Sequence, residues 1–142
     1  MTSQVPSNET PDTRLRFRPD QRLRSGRDFG LVYSEGNRAR AALLIVVVRR
    51  NTTGRTRLGL SIGRRIWRSA VKRNVVRRIF REAFRLEQHA LPQGIDIVLI
   101  AAEPRLRPTL AATRKELVYL AHKALRRYDD KVEAANNEAT PE

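Results

Sequence analysis

Apolar residues occur along the chain in two patterns: short unbroken runs and longer stretches with helical spacing. The runs LLIVVV at 43–48 and IDIVLIAA at 95–102 have the length and the β-branched content of buried strands. A third strand is predicted in RTRLGLSIG at 55–63, and NTTG at 51–54 supplies a turn before it. The run at 43–48 and the strand at 55–63 are therefore expected to pair as a hairpin.

Three segments are predicted to be helices from their capping residues, length or spacing. Ser25 is placed to cap a short helix, with Asp28 three residues later and Gly36 at its end. A second helix is predicted over about 69–88, before the helix-ending PQG, and a third over 109–128. The apolar face of the third helix comprises Leu110, Thr113, Leu117, Leu120, Ala121, Ala124 and Tyr128.

These elements follow one another in the order αββαβα. Burying their apolar faces requires a small sheet with helices packed against it, so we expect an α+β fold, a two-layer α/β sandwich around a mainly antiparallel sheet. The folded domain is predicted to span 14–128. The polar segment 1–13 and the acidic segment 129–142 lack apolar periodicity and are expected to be disordered tails.

Composition adds a strong positive charge to this picture. The 142 residues include 29 Lys plus Arg against 15 Asp plus Glu, a formal net charge of +14. Only four of the 29 are lysine, which leaves 25 arginines. Arginine makes planar, bidentate contacts with phosphate and stacks on bases, so the charge favours nucleic acid over a membrane as the partner.

The cellular compartment is indicated by what the sequence lacks. There is no cysteine, which excludes disulfides and thiolate metal sites and is typical of a reducing compartment. The first residues have neither the basic nor the apolar run of an export signal, and the longest apolar runs are too short to cross a bilayer. We therefore expect a cytoplasmic protein without a membrane partner.

The second predicted helix contains AVKRNVVRRIFREAFR at 70–85, which interleaves basic and apolar side chains. At about 100° per residue, one arc of this helix is apolar and the opposite arc is basic. The apolar arc, expected to seat the helix on the sheet, comprises Val71, Val75, Val76, Ile79, Ala83 and Leu86. The basic arc comprises Arg73, Asn74, Arg77, Arg78, Arg81 and Arg85. Phe84 projects near the basic arc, where the last helix or the N-terminal segment is expected to cover it.

Like charges on the basic arc repel one another unless a polyanion relieves them. Arginines four residues apart, such as Arg73 and Arg77, cost roughly 0.2–0.5 kcal/mol per pair in an isolated helix. A solvated surface helix is the alternative interpretation, but such faces normally intersperse acids, and Glu82 is the only acid in the segment. Phosphates that bind here release condensed counterions, so the arc is predicted to be a salt-sensitive nucleic-acid surface.

The loop SIGRRIWRS at 61–69 extends the basic surface upstream of this helix. Arg64, Arg65 and Arg68 lie between the second strand and the helix, where they are placed to contact a phosphate backbone. Trp67, the only tryptophan, either stacks on a base or packs at the core or its rim.

Recognisable catalytic and metal-binding patterns are absent from the sequence. His89 and His122 have no metal-ligand spacing and are predicted to lie at the surface. There is no P-loop and no GxGxxG, and the few acids are too scattered for a two-metal nuclease centre. We therefore predict no catalytic and no metal-binding residue in the chain.

Taken in order, four segments resemble the protein subunit of bacterial ribonuclease P. The resemblance covers about residues 22–127. The segments are RLRSGRDFGLVYSEGNRAR, LLIVVV, RLGLSIGRRIWRSAVKRNVVRRIFREAFR and IDIVLIAA.

The most specific part of the resemblance is the basic helix. The family usually has Arg-Asn-Arg there, followed by an apolar residue, Lys-Arg, two variable positions and Arg-Glu. Here the signature begins with Arg73 and Asn74 and ends with Arg81 and Glu82. Val75 stands in the place of the usual third residue of the triplet, which predicts one fewer RNA contact at that position.

The resemblance implies a ribonucleoprotein in which an RNA subunit with bound Mg²⁺ cleaves precursor tRNA and generates its mature 5′ end. The protein is then an accessory subunit whose partners are the catalytic RNA and the precursor tRNA, with no protein partner predicted. The implied fold is ribosomal protein S5 domain 2-like, with a left-handed βαβ crossover against the usual right-handed preference.

The resemblance also assigns candidate site residues to two surfaces. The RNA-binding helix and its approach comprise Arg68, Lys72, Arg73, Asn74, Arg77, Arg78, Arg81 and Arg85. A cleft between the first helix and the sheet, which holds the single-stranded 5′ leader, comprises Phe29, Tyr33, Arg64 and Arg65. Taken without the resemblance, the i, i+4 spacing of Phe29 and Tyr33 is also the pattern of an ordinary core pair.

Two other functions compete with this one. A structural RNA-binding protein of ribosomal type has a similar sandwich and charge but no role in cleavage. A nucleoid-type DNA binder is disfavoured because the basic helix has no dimer partner or turn-linked recognition-helix pattern.

Overall fold

A computed structural model describes residues 17–139 and contains the predicted elements together with one additional strand. The N-terminal tail predicted over 1–13 lies outside the described residues. In chain order the elements are α1 Gly26–Glu35, β1 Asn37–Arg40, β2 Leu44–Arg50, β3 Arg57–Ser61, α2 Ala70–Glu87, β4 Ile95–Ala101 and α3 Leu110–Ala139. Short 3₁₀ turns occupy Pro19–Gln21 and Gln88–Ala90.

The four strands form one mixed sheet in the order β1-β2-β4-β3. Strand β2 is antiparallel to both β1 and β4, whereas β3 is parallel to β4. The predicted hairpin between β2 and β3 is therefore wrong. The reason is that β4 is apolar at every position except Asp96 and is buried along almost its whole length. A position between two other strands therefore buries more apolar surface for β4 than for β3.

The parallel pair β3 and β4 is joined through α2 and forms a βαβ unit. The left-handed crossover implied by the family resemblance stays a prediction. On the other edge of β3, the N–H of Leu23 donates to the carbonyl of Leu58 at 2.9 Å, so the segment before α1 protects that edge from pairing with another chain.

Strand β1 has the sequence NRAR, which contains no apolar run, and it was not predicted. It forms because Ala39 is buried and because β1 pairs along the outer edge of β2. Arg38 and Arg40 alternate with Ala39 and point to solvent. A short polar strand of this kind is a common way to end a sheet.

Helices cover both faces of the sheet. Helices α2 and α3 pack on the face that presents Val46, Ile97 and Leu99. Helix α1 lies on the other face, where its Val32 packs with Val47 and Val98. The α+β class is confirmed. Helix α1 has only ten residues and leaves part of its face of the sheet uncovered, which produces a cleft beside α1.

The predicted cap of α1 is formed, and α2 has a cap that was not predicted. The Ser25 hydroxyl accepts a hydrogen bond from the N–H of Asp28 at 3.0 Å, and Gly36 follows the last turn of α1. In α2 the Ser69 hydroxyl accepts from the N–H of Lys72 at 3.3 Å. These bonds satisfy N–H groups that the first turn of a helix leaves without partners.

Helix α2 is rotated about its axis relative to the predicted orientation. Its buried residues are Val76, Phe80, Ala83 and Phe84. Val71 and Val75, which were placed on the buried arc, are 72% and 47% exposed. The two phenylalanines bury more apolar surface than the two valines, so they decide which side of the helix faces the core.

Helix α3 extends to Ala139 and does not end at Tyr128 as predicted. The segment from 129 to 139 is thus helical, which corrects the prediction of a disordered tail for these residues. Arg50 donates two hydrogen bonds to the Asp129 carboxylate, at 2.9 and 2.8 Å, and Lys131 donates to the carbonyl of Glu35 at 3.2 Å. The first of these contacts lowers the pKa of Asp129, chiefly through the hydrogen bonds from Arg50.

None of the helices within residues 17–139 combines the length and the apolar character needed to cross a membrane.

Candidate RNA-binding surface

The basic residues of α2 lie on the side of the helix away from the sheet and along its flanks. Lys72, Asn74, Arg78 and Arg81 are exposed, as is Arg68 in the preceding loop. Arg73, Arg77 and Arg85 are half-buried. The predicted set is therefore gathered on one continuous surface of α2 and the loop before it.

Two of the half-buried arginines, Arg73 and Arg77, are bonded to carbonyl oxygens, which carry no net charge. Arg73 donates from one Nη atom to the carbonyls of Trp67 and Arg68, both at 2.9 Å. Arg77 donates to the carbonyl of Ile62 at 3.0 Å and to the side chain of Asn74 at 3.0 Å. These bonds fasten the loop over 62–68 to α2, and no carboxylate in the described part of the chain pairs with either positive charge.

Among the described residues, one carboxylate pairs with an arginine of α2, near the C-terminal end of the helix. Arg85 donates to Glu82 at 3.0 and 2.6 Å, and these hydrogen bonds are the main reason that the pKa of Glu82 is lowered. Glu82 thus stays ionised at neutral pH. The guanidinium groups of five other arginines, in α2 and the loop before it, have no hydrogen bond or ion pair within residues 17–139, and their charge is open to a polyanion. They are Arg64, Arg65, Arg68, Arg78 and Arg81.

A basic groove of about 480 Å³ lies where the loop before α2 meets the loop before α3. The N–H of Arg105 donates to the carbonyl of Ile66 at 2.6 Å, and the indole N–H of Trp67 donates to the carbonyl of Leu106 at 2.8 Å. These two bonds tie the loops together. The charged residues of the groove are Arg64, Arg65, Arg68, Lys72, Arg105 and Arg107.

Arg105 and Arg107 were not among the predicted site residues. Both belong to EPRLRP at 103–108, which was interpreted only as a loop. Two arginines between two prolines were the available signal, but the contact with Trp67 that brings them to the groove is not visible in the sequence.

Phe29 and Tyr33 lie on one side of α1, with their ring centroids 6.3 Å apart. Phe29 is half-buried, and its ring lies so close to Gly59 of β3 that a Cβ atom there would stand 2.6 Å from Phe29 Cζ. Tyr33 is 39% exposed. The position of Phe29 thus depends on the missing side chain at Gly59, and its ring is neither fully in the core nor fully free.

A second groove, of about 240 Å³, lies beside Phe29 at the β3 edge of the sheet. It is lined by Phe17, Arg22, Phe29, Gly59, Arg77 and Arg81 among others. The predicted leader-binding residues are thus divided. Arg64 and Arg65 line the basic groove with Trp67, whereas Phe29 lines this cavity together with arginines of α2.

His89 and His122 are both exposed. The Nε2 atom of His122 lies 2.8 Å from the carbonyl of Ala90. Within residues 17–139, no three side chains of His, Asp or Glu are grouped so that they could hold a metal ion.

The fold and this surface define a class: a small α+β protein with an arginine-rich face of the kind that binds nucleic acid. A family model described as Ribonuclease P matches residues 17–125. The chain belongs to this family, that of the protein subunits of bacterial ribonuclease P, as the residue pattern of the basic helix predicted.

Individual relatives agree with the family match. The chain is 41% identical over 86 residues to the ribonuclease P protein component of Saccharophagus degradans, covering 60% of this chain and 63% of that protein. It is 36% identical over 96 residues to that of Desulfotalea psychrophila, covering 68% and 75%. The solved ribonuclease P protein from Thermotoga maritima superposes with a TM-score of 0.62 at 33% identity, covering 69% of this chain and 92% of that one.

The chain thus spans slightly less than two thirds of the length of the Saccharophagus relative. The relatives are all ribonuclease P proteins, which does not favour the alternative of a ribosomal-type protein without a role in cleavage.

Proposed function

We propose that the chain is the accessory subunit of a cytoplasmic ribonuclease P particle. It binds a catalytic RNA and the 5′ leader of precursor tRNA and promotes the cleavage that generates the mature 5′ end. The Mg²⁺ ions that support the reaction are held by the RNA. The observation that carries this proposal is the arginine surface of α2 and of the loops before α2 and α3, where Arg85 is the only arginine paired with a carboxylate of residues 17–139.

The surface of α2 is the proposed contact with the catalytic RNA. Arg78 and Arg81 are exposed and have no partner within residues 17–139, so each is ready to bind a phosphate without first breaking another contact. Arg73 and Arg77 add charge while they hold the loop over 62–68 in place. Several phosphates neutralised together release many counterions, which gives strong and salt-dependent binding.

The side of the sheet near α1 is the proposed contact with the single-stranded leader. Phe29 presents an aromatic ring beside Arg22, Arg77 and Arg81. An aromatic ring with flanking cations binds unpaired nucleotides with little sequence preference, and this suits a subunit that serves many precursors. Tyr33 extends the aromatic surface along α1.

The direct test is a cleavage assay. The purified chain is added to a bacterial ribonuclease P RNA at low Mg²⁺, and 5′ cleavage of a precursor tRNA is measured. Stimulation of cleavage supports the proposal. Binding of the RNA without stimulation would instead favour a structural RNA-binding protein.

Replacing Phe29 with alanine is expected to weaken the binding of precursor tRNA by about 1–3 kcal/mol, the usual contribution of one base stacked on an aromatic ring. Mature tRNA lacks the leader, so its binding should change far less. The measurement is the Kd of the assembled particle for both tRNAs. Tyr119→Ala removes a tyrosine that is 61% exposed on α3 and serves as the control. Equal losses for the two tRNAs would assign Phe29 to the core.

Replacing Arg73 with alanine is expected to weaken binding to the catalytic RNA and to lower the slope of log K against log salt by about one unit. Arg78→Ala should lower the slope by the same amount. Only Arg73→Ala should also release the loop over 62–68, since only Arg73 holds the carbonyls of Trp67 and Arg68. Proteolysis of that loop in the two free variants distinguishes them, and an unchanged salt slope in both would exclude α2 from the RNA contact.

A further inference from the structure

An apolar groove of about 340 Å³ lies between α2 and the loop before α3, beside the basic groove. Its apolar walls are Trp67, Val75, Ile79, Leu106 and Pro108. Val75 is 47% exposed, which is unusual for an aliphatic side chain in the most cationic part of a surface. Exposed apolar surface rimmed by polar residues is typical of ligand-binding grooves.

The apolar groove and the basic groove are continuous. They share Trp67, Lys72 and Arg107. The Lys72 amino group lies 4.5 Å from the centroid of the Trp67 ring, and the Arg107 guanidinium lies 5.6 Å from it. The indole therefore stands at the boundary, with an apolar space on one side and cations on the other.

The backbone at this boundary is held in an unfavourable conformation. Arg105 has φ of 57°, the only positive value for a residue other than glycine within residues 17–139. This conformation lets its N–H donate to the carbonyl of Ile66, next to Trp67. Strain of this kind persists where the surrounding structure fixes the backbone, and it is concentrated at ligand-binding sites.

An occupant must match both halves of this surface. A hydrophobic peptide would fill the apolar groove but leave the arginines beside it without counter-charges. A bare polyanion would bind the arginines but leave the apolar groove in water. An unpaired nucleotide supplies an apolar aromatic base and a phosphate at a fixed distance, and proteins bind unpaired RNA bases by stacking in this way.

We propose that the two grooves together bind one unpaired ribonucleotide of RNA. Its base lies in the apolar groove against Val75 and Trp67, and its phosphate lies among the arginines of the basic groove, chiefly Arg105 and Arg107. The proposal rests on the RNA-binding function proposed above and adds a base-binding subsite to it. Val75 then contributes an apolar contact with RNA and is not simply a lost phosphate contact.

Two substitutions that add the same charge to α2 give opposite results if this is correct. Val75→Arg fills the apolar groove, whereas Val71→Arg changes a residue that is 72% exposed and lines neither groove. Added charge alone strengthens RNA binding. We expect Val71→Arg to bind a bacterial ribonuclease P RNA more tightly than the original chain and Val75→Arg to bind it at least about fivefold more weakly. Stronger binding by both variants would overturn the proposal.

The single tryptophan gives a second measurement on the full chain. Single-stranded oligouridylate and inorganic polyphosphate carry comparable charge, but only the RNA has bases. Stacking near Trp67 should quench its fluorescence with oligouridylate and not with polyphosphate. Equal quenching by both probes would show that the groove recognises phosphate alone, and quenching by neither would contradict stacking of a base near Trp67.

The source of the nucleotide is identified by crosslinking. The chain has no cysteine, so Val75→Cys carries one azidophenacyl group in the assembled particle, and Val71→Cys is the matched control. Crosslinks from position 75 to unpaired nucleotides support the proposal, and they identify either the catalytic RNA or the precursor leader as their source. Crosslinks confined to paired nucleotides, or the same pattern from position 71, would contradict it. If the original chain stimulates cleavage while Val75→Arg binds like Val71→Arg, only this inference fails.

Discussion

Replacing Asp96 with alanine is expected to lower the free energy of unfolding by about 3–5 kcal/mol, as when one partner of a buried ion pair is removed. Asp96 is 1% exposed and is the only buried charged side chain within residues 17–137. Arg57 donates two hydrogen bonds to its carboxylate, both 2.8 Å long, and Asn51 donates a third at 2.8 Å. Alanine leaves the Arg57 guanidinium with only Asp28, at 3.6 Å.

Chemical denaturation of Asp96→Ala and Asp20→Ala measures this contribution against a matched surface pair. Asp20 pairs with Arg55 at 2.9 Å, but both side chains are more than half exposed. Loss of that pair should cost no more than about 1 kcal/mol. Removing Arg57 together with Asp96 should cost less than the sum of the single changes, because the pair acts as a unit. Equal losses for Asp96→Ala and Asp20→Ala would mean that the buried pair contributes nothing beyond a surface pair.

The Asp96 network matters for the proposed leader contact because it joins α1 to the sheet. Arg57 is in β3, Asp96 is in β4, and Asp28 is in the first turn of α1. The hydrogen bonds that Arg57 donates to Asp96 raise the pKa of Arg57, so the guanidinium is charged at neutral pH. Phe29 follows Asp28 directly, and its placement against Gly59 is therefore supported by a buried charge pair one residue away.

Features that depend on neighbouring residues were predicted correctly from the sequence. The cap at Ser25 was visible because a cap joins residues only three positions apart. The buried face of α3, which includes Leu117 and Leu120, was visible because its period is set by the helix itself. The basic surface of α2 was visible because charge is read directly from composition.

Features that depend on distant residues were not predicted. Strands β2 and β3 are adjacent in the chain, yet β4 lies between them in the sheet. The order of the strands depends on how much apolar surface each whole strand buries, which is not a local property. The short strand β1 depends on its pairing with β2 and has no pattern of its own. The basic groove depends on the bond between Arg105 and Ile66, which are 39 positions apart.

The orientation of α2 shows how a correct period can still give a wrong face. A helical wheel places residues relative to one another, but the side that meets the core is chosen by the neighbouring elements. Here Phe17, from the segment before α1, covers Phe84, with the two ring centroids 5.5 Å apart and the rings edge to face. A cover for Phe84 from the last helix or the N-terminal segment was expected, but its consequence was not: the valines at 71 and 75 move out to the basic side of α2.

Replacing Phe84 with alanine is accordingly expected to lower the free energy of unfolding by about 3–5 kcal/mol. Phe84 is fully buried, so alanine removes most of its apolar contacts and leaves a cavity between α2 and Phe17. Val71→Ala, on the arc that the sequence assigned to the core, should change stability by no more than about 0.5 kcal/mol. Guanidinium denaturation followed by circular dichroism measures both, and the slope against denaturant shows whether the unfolded state has changed.

Positions 84 and 71 should also differ in how they respond to a second, larger apolar substitution. Phe84→Leu keeps an apolar side chain in the core and should recover part of the loss, because the cost depends on the volume removed. No such graded recovery is expected at position 71, where solvent already surrounds the side chain. If Val71→Ala proved more destabilising than Phe84→Ala, the valine arc would face the sheet, and the apolar groove beside Val75 would have to be closed.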